Sequence, residues 1–365
     1  MIELQVLTVS RKTINSRGIV EPLWRARNLL RDHRIILRKE ARTPTEATGA
    51  DFLIIDSKVF KNQWARRREW VLEQLTTLRR GNGKLIWFDS GDSTGNIILD
   101  VFDYVDLYLK GQLLKEKTNY RASFYGGRIF TEFFNRELGI IDSSEVFSAP
   151  LSDAELEKLR LGWNYGLAQG FGSNENKLAS YLEPIFALLG KRKKNVYTSP
   201  DKSRTNSVSM RINTNYARET VGIQRKLAVQ EAERLSVAQG RIQKRAYLRE
   251  MQNSRAIISP FGWGEIAIRD FECFAAGATL VKPSIEHLST FPPYYESDVT
   301  YRAIPWDIGK LDNVIELFRD NSKCATAVAK SGQDRFRYYT ESEQGREAFV
   351  DHFLACLRHL EAVQT

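Results

Sequence analysis

Cysteine is scarce in this chain, with three among 365 residues. Cys273, Cys324 and Cys356 are odd in number and show no metal-ligand spacing, so neither a disulfide framework nor a zinc module organises the fold. Histidine is almost as scarce, at four, and no Asp-x-Asp pair occurs, which leaves the sequence without an acidic clamp for a divalent cation. No apolar run approaches the length a bilayer requires, and no basic segment precedes the apolar residues at the start. Internal repeats and low-complexity tracts are also missing. The expectation is a soluble, cytoplasmic protein from a reducing compartment.

What is present is a globular composition, 42% hydrophobic, with a formal charge of +9 and a pI near 9.3. A chain of this length suits two domains of ordinary size. Its charge suits anionic partners, and the basic clusters at 66–68, 79–80 and 191–194 could give a peripheral hold on an anionic membrane. Each cluster reads as readily as a solvated helix face. Nucleic acid is the disfavoured partner, because no recognition motif accompanies the charge.

Apolar runs at 4–9, 51–56, 84–88 and 105–110 alternate with helical stretches, including one expected over 22–32 and an Arg-rich one ending at Leu78. That alternation argues for a parallel sheet. A mixed, glycine-containing segment leads to a helix expected over 177–189 and a basic run. The second sheet is expected to begin at 195–198; the run 208–212 precedes a long helical stretch carrying Arg218, Arg225 and Arg234, and a late strand is expected over 299–304. Trp306 and Asp307 are expected to open the helix after that strand. His352 and His359 lie seven apart on a final helix.

The richest stretch runs from Ala256 to Pro283. An apolar run is broken by Pro260, Gly262 and Gly264, a helix follows, and Gly277 stands where a C-cap glycine belongs before a second apolar run. Gly262 and Gly264 are expected to leave backbone N–H groups open at a helix N-terminus, where a phosphate could bind. Glu265, Arg269 and Glu272 fall at i, i+4 and i+7 and would form one polar stripe. The plain alternative is an exposed salt-bridge ladder.

Arg269-x-x-Glu272-x-x-x-x-Gly277, with the following strand and Pro283, resembles the nucleotide-sugar site of GT-B glycosyltransferases, and most closely the exostosin-like bacterial polysaccharide enzymes. Gly262-Trp263-Gly264-Glu265, Arg269-Asp270-Phe271-Glu272, Lys282-Pro283, His287-Leu288, Tyr301 and Trp306-Asp307 carry the likeness, over about residues 208–318. The resemblance implies two Rossmann-like α/β domains facing a cleft: an acceptor domain over 1–180, a donor domain over 190–340, and a C-terminal helix over 341–365 that crosses back. It implies a nucleoside diphosphate sugar as donor substrate and a glycan or lipid-linked saccharide as acceptor, with no cofactor. Glu272 would hold the ribose, and Arg211, Gly262, Trp263, Gly264, Arg269 and His287 would face the donor. Retaining GT-B enzymes of the commonest type place a second glutamate eight residues before the first. Gly264 stands there and Glu265 comes one residue late, so the stereochemical course is open.

Asp89 and Asp92 lie at the carboxyl end of the strand at 84–88, where open α/β sheets place ligand groups. They read either as an Asx-turn and helix cap or as general-base candidates, Asp92 before Asp89, with Glu265 a third catalytic candidate. The segment ending in Tyr125-Gly126-Gly127-Arg128 is expected to line the acceptor side. Two rival readings remain: a basic nucleic-acid-associated α/β protein, and a binding-only protein on the transferase fold.

Overall fold

The computed structural model describes residues 1–9, 13–173, 194–319 and 323–362. The helix expected over 177–189, most of the basic run after it and the expected domain boundary lie outside them. Twelve strands can be followed: β1 (Ile2–Leu7), β2 (Ile35–Leu37), β3 (Phe52–Asp56), β4 (Lys84–Asp89), β5 (Leu107–Lys110), β6 (Gln112–Leu114), β7 (Leu159–Leu161), β8 (Asn206–Ser209), β9 (Ser254–Ile258), β10 (Thr279–Pro283), β11 (Leu288–Thr290) and β12 (Arg302–Ile304). They form a six-stranded sheet in the order β2-β1-β3-β4-β5-β7 and a four-stranded sheet in the order β12-β10-β9-β8. Every pairing within these two sheets is parallel. The α/β class and the two parallel sheets agree with the sequence reading.

The central strands explain that agreement. Leu53, Ile54 and Ile55 of β3 and Leu85, Ile86 and Trp87 of β4 are fully buried, as expected where helices cover both faces of a parallel sheet. Helix Arg68–Gly81 supplies part of the cover by turning Val71, Leu75 and Leu78 inward and its arginines outward. On the other face, helix Glu343–Ala362 puts Phe349, Phe353 and Leu357 into one cluster with Leu4, Ile19, Leu23 and Ile86. The last helix of the chain therefore packs on the first sheet.

Several expected boundaries moved. The helix expected over 22–32 starts earlier and is broken at Ala26, as helix Ile14–Arg25 followed by helix Arg27–Asp32, and the first carries Gly18 and Pro22 in its interior. Pro22 has no N–H for the Gly18 carbonyl, yet that carbonyl is not orphaned, because the Trp163 indole N–H donates to it at 2.9 Å. Gly18 is required there, since a Cβ would stand 2.5 Å from Tyr165 Cα. Residues 195–198 do not start the second sheet. Asn195 Oδ1 accepts the N–H groups of Gly170 and Phe171, and the Thr198 N–H bonds to the Ala275 carbonyl, so this segment is a crossing loop. The strand expected over 299–304 shortens to β12. Asp307 takes the Gly309 N–H at 2.9 Å in the turn before helix Leu311–Arg319, so that helix begins later than expected.

The two sheets share one core. A single apolar cluster runs from Leu53, Leu85 and Trp87 to Ile257, Phe261, Phe271 and Leu280. Across this junction β6 pairs antiparallel with β11. A second fastening is Asp142, which is buried and accepts Thr220 N–H at 2.9 Å, the Thr220 hydroxyl at 2.8 Å and an Arg218 N–H at 3.2 Å. Asp142 thus caps helix Glu219–Arg234 from the other half of the molecule, a role that Arg218 at the N-cap position does not fill. Asp142→Ala should lower the free energy of unfolding by about 2 kcal/mol through loss of the cap and its charged hydrogen bonds. Chemical denaturation measures this, and an unchanged midpoint with an unchanged slope would remove Asp142 from the fastening.

Candidate functional site

The helix that carries the sequence motif is Ile268–Ala276, closed by Gly277 in the left-handed conformation at φ 62°. It begins later than the glycines suggested, and two expectations change with it. Gly262 donates its N–H to the Gly264 carbonyl at 3.0 Å, so that group is not left open at a helix N-terminus. Gly264 instead approaches the first half so closely that a Cβ would lie 1.7 Å from the Asp92 carbonyl oxygen. These glycines serve a docking loop, and Glu265 lies outside the helix rather than on a stripe with Arg269 and Glu272.

Glu265 is fully buried in that junction, where its Oε2 accepts the Thr94 N–H at 3.1 Å and the Thr94 hydroxyl at 2.9 Å. Burial acts to raise its pKa, but neighbouring His287 and the Thr94 bonds outweigh it and hold the carboxyl below its ordinary value. A buried carboxylate so engaged is a fastening between halves, not an acid with a free proton. Its Oε1 has no hydrogen-bond partner, and His287 Nε2, also unpartnered, lies 3.9 Å away. His287 packs against Trp306, with ring centroids 5.0 Å apart, and sits with Glu265 at the junction.

The two aspartates after β4 part company. Asp89 is buried and bound to Lys110 Nζ at 2.5 Å and the Tyr108 hydroxyl at 3.0 Å. This engagement corrects its expected role as a free base. Asp92 is exposed, and among the described residues its carboxylate takes no hydrogen bond, while its carbonyl is held by Gln112 Nε2 at 2.8 Å and faces Gly264.

Around the motif helix, cations are matched one by one until the carboxylates run out. Arg211 pairs with Glu250 at 2.7 Å, which corrects its expected role as a free phosphate ligand. Lys244 pairs with Glu272, whose other oxygen accepts the Tyr247 hydroxyl at 3.0 Å. Lys282, fully buried, pairs with Asp270 at 3.1 Å, and Asp270 also accepts from Ser259 at 2.6 Å and Tyr295 at 3.1 Å. Arg225 and Arg269 have no carboxylate partner among the described residues. Arg225 is buried and bonds only to the carbonyls of Phe261, Asn213 (3.2 Å) and Pro260 (3.4 Å). Burial, with the charge of Arg269 adding to it, pushes its pKa down to about 10. Arg269 reaches the Arg211 carbonyl, and its buried Nε has no hydrogen-bond partner.

Gly262 packs against this cationic patch. A Cβ there would meet the Tyr216 hydroxyl at 2.9 Å and Arg225 Nη2 at 3.0 Å, so the absence of a side chain lets the loop lie against both groups. Sequence reading placed Arg225 on its helix without separating it from Arg218 and Arg234, and it passed over Tyr216, Lys244 and Tyr247. Only burial without a counter-charge distinguishes Arg225, and no local pattern shows that. Among the described residues no group of three or more His, Cys, Asp or Glu side chains could hold a metal ion, and no helix is long and apolar enough to cross a membrane.

No protein-family model matches the chain, and no curated protein matches it. Solved structures do. Anabaena HepE in complex with UDP-glucose aligns at 10% identity over 97% of this chain and 100% of that chain, with a TM-score of 0.48. A glycosyltransferase from Rickettsia africae ESF-5 aligns at 10% identity over 97% and 98%, with a TM-score of 0.44. An α-glucosyltransferase in complex with UDP and a 13-mer DNA containing a HMU base aligns at 9% identity over 96% and 99%, with a TM-score of 0.45. These TM-scores lie below 0.5, so neither donor nor acceptor is taken from them.

The contrast between the aspartates can be measured. Asp89→Ala strands a buried lysine and should cost about 3–5 kcal/mol of stability. Asp92→Ala, at an exposed carboxylate without bonds, should stay within about 0.5 kcal/mol of the parent. Equal effects in urea denaturation would overturn the assignment of Asp89 to structure.

Proposed function

We propose that this chain is a glycosyltransferase of the exostosin-like kind, moving a sugar from a nucleoside diphosphate sugar to a hydroxyl of a glycan or lipid-linked saccharide. The observation that carries the reading is the pair of arginines left over when every carboxylate near the motif helix has been matched. Two guanidinium groups without a carboxylate partner among the described residues, one buried and the other with an unpartnered N–H, call for an anion of more than one charge. A diphosphate fits that demand. Glu272 is the ribose ligand of this reading on the motif's likeness; Lys244 and Tyr247 hold its two oxygens and would have to yield to, or share them with, the ribose hydroxyls.

In this reading Arg225 and Arg269 bind the diphosphate and stabilise the charge that builds on it as the glycosidic bond breaks. The N-terminus of helix Ile268–Ala276 adds its dipole. No divalent cation is required, because the arginines supply the compensating charge. Arg211 contributes by holding Arg269 through its carbonyl. Asp92 accepts the proton of the attacking hydroxyl if transfer inverts the anomeric centre. The protein would work in the cytoplasm, with its basic faces available to an anionic membrane surface.

Calorimetric titration with UDP, GDP, ADP and dTDP tests the core of the proposal, and absence of binding by all four in a folded protein would end it. With the nucleotide identified, Glu272→Gln should weaken the nucleotide sugar and the bare nucleoside alike by about tenfold, the equivalent of one hydrogen bond to a charged group. Arg225→Lys and Arg269→Ala should weaken the nucleotide sugar and the free diphosphate while sparing the nucleoside. Identical losses for nucleoside and diphosphate in all three variants would refute the division between ribose and phosphate contacts.

Asp92→Asn should leave donor affinity unchanged and lower turnover by about 10²–10⁴-fold. Undiminished turnover by the folded variant would take Asp92 out of the mechanism.

A further inference from the structure

Trp263 is the one residue of the docking loop that points away from the core, with 40% of its surface exposed. Its backbone is nonetheless fixed. The Trp263 carbonyl accepts Arg128 Nε at 2.8 Å, and the next residue, Gly264, lies against the Asp92 carbonyl. Its ring is flanked from both halves of the molecule. The Arg128 guanidinium sits 5.3 Å from the indole centroid, and the Tyr216 ring meets it at 5.7 Å with an interplanar angle of 66°.

A large exposed indole held in place on a rigid loop is an unusual use of apolar surface. Arg128 is itself buried, donates to Gly126 and Trp263 carbonyls, and forms no ion pair among the described residues. The next loop residue on one side, Gly262, packs against Tyr216 and Arg225, and the next on the other, Gly264, abuts the Asp92 backbone. The indole therefore stands on a loop whose neighbours touch the buried Arg225 on one side and the peptide of exposed Asp92 on the other.

We propose that Trp263 is a stacking platform for a pyranose ring of the acceptor saccharide. The apolar C–H face of a pyranose matches an indole face, and its hydroxyl rim finds donors in Arg128 and Tyr216 and an acceptor in Asp92. Placement next to Asp92 orients one ring hydroxyl toward the carboxylate that takes its proton. The word acceptor rests on the transferase reading above, whereas the platform can be read out without any donor.

Fluorotryptophan-labelled protein and its W263F variant, compared by fluorine NMR, identify the Trp263 resonance among the seven tryptophans. The probes are the methyl glycosides of glucose, galactose, mannose and glucuronic acid, added singly with and without the nucleoside diphosphates tested above. The Trp263 resonance should move saturably with at least one glycoside, with or without nucleotide present, which would take Trp263 from the donor side, where the resemblance puts it, to the acceptor side. Movement with a nucleotide but with no glycoside, or a loss of nucleotide affinity of about tenfold in W263A, would assign the indole to the donor and overturn the proposal. A resonance that moves with none of the probes overturns it as well. Failure of the parent protein to bind any nucleotide defeats the donor reading alone, because the glycoside shift is scored independently.

Discussion

The approach of Gly264 to the Asp92 carbonyl is the contact on which the junction depends. No side chain fits between these two backbones, since a Cβ would stand 1.7 Å from the oxygen. With the loop seated there, Glu265 reaches Thr94, the Trp263 carbonyl meets Arg128, and Gln112 takes the Asp92 carbonyl from the side. Most buried polar groups brought into the junction by this close approach thus gain partners; the exceptions are the Ser93 hydroxyl, one oxygen of Glu265 and the facing His287 nitrogen. A glycine loop before a helix can offer N–H groups to an anion or bring two backbones together. Here it does the second.

Electrostatics then separates structural cations from functional ones. Arg204 is buried and bonds only to carbonyls, as Arg225 does, but its acceptors include the Ala276, Gly277 and Gln252 carbonyls at the ends of two helices. Those ends carry partial negative charge from the helix dipoles, so Arg204 is compensated by the fold itself. The carbonyls around Arg225 belong to the loops at 213 and 260–261 and provide no such field. Arg269 adds a second positive charge beside it. The positive charge around Arg225 and Arg269 is therefore left without an acid among the described residues, and an anionic ligand is the group that would balance it.

How much of this the sequence disclosed depends on whether a feature is local. β3 and β4 were legible because strands buried on both faces must be continuous apolar runs, and the last helix and its return to the first half were expected from the family resemblance. Helix Ile14–Arg25 was not, because Pro22 and Gly18 are poor helix residues unless a distant indole takes the freed carbonyl. Arg218, Arg225 and Arg234 look alike along one helix. In the folded chain the first pairs with Asp142, the last pairs with Glu231 on the surface, and only Arg225 is buried without an acid. The motif residues Arg269 and Glu272 were found by resemblance, whereas Arg225, Tyr216 and Lys244 come from other elements and are gathered only by tertiary packing.

The same logic sorts the two aspartates that follow β4. A carboxylate can be positioned by its own oxygens, as at Asp89, and it is then consumed by the lysine and tyrosine that hold it. Alternatively the backbone can be held and the carboxylate left free. Asp92 follows the second course: Gln112 and Gly264 fix its peptide, and its side chain is exposed with no hydrogen bond among the described residues. A group that must exchange a proton with a substrate needs a fixed position and an unoccupied acceptor. Of the three acids considered for that task, Asp89 and Glu265 meet the first condition at the expense of the second, and Asp92 meets both.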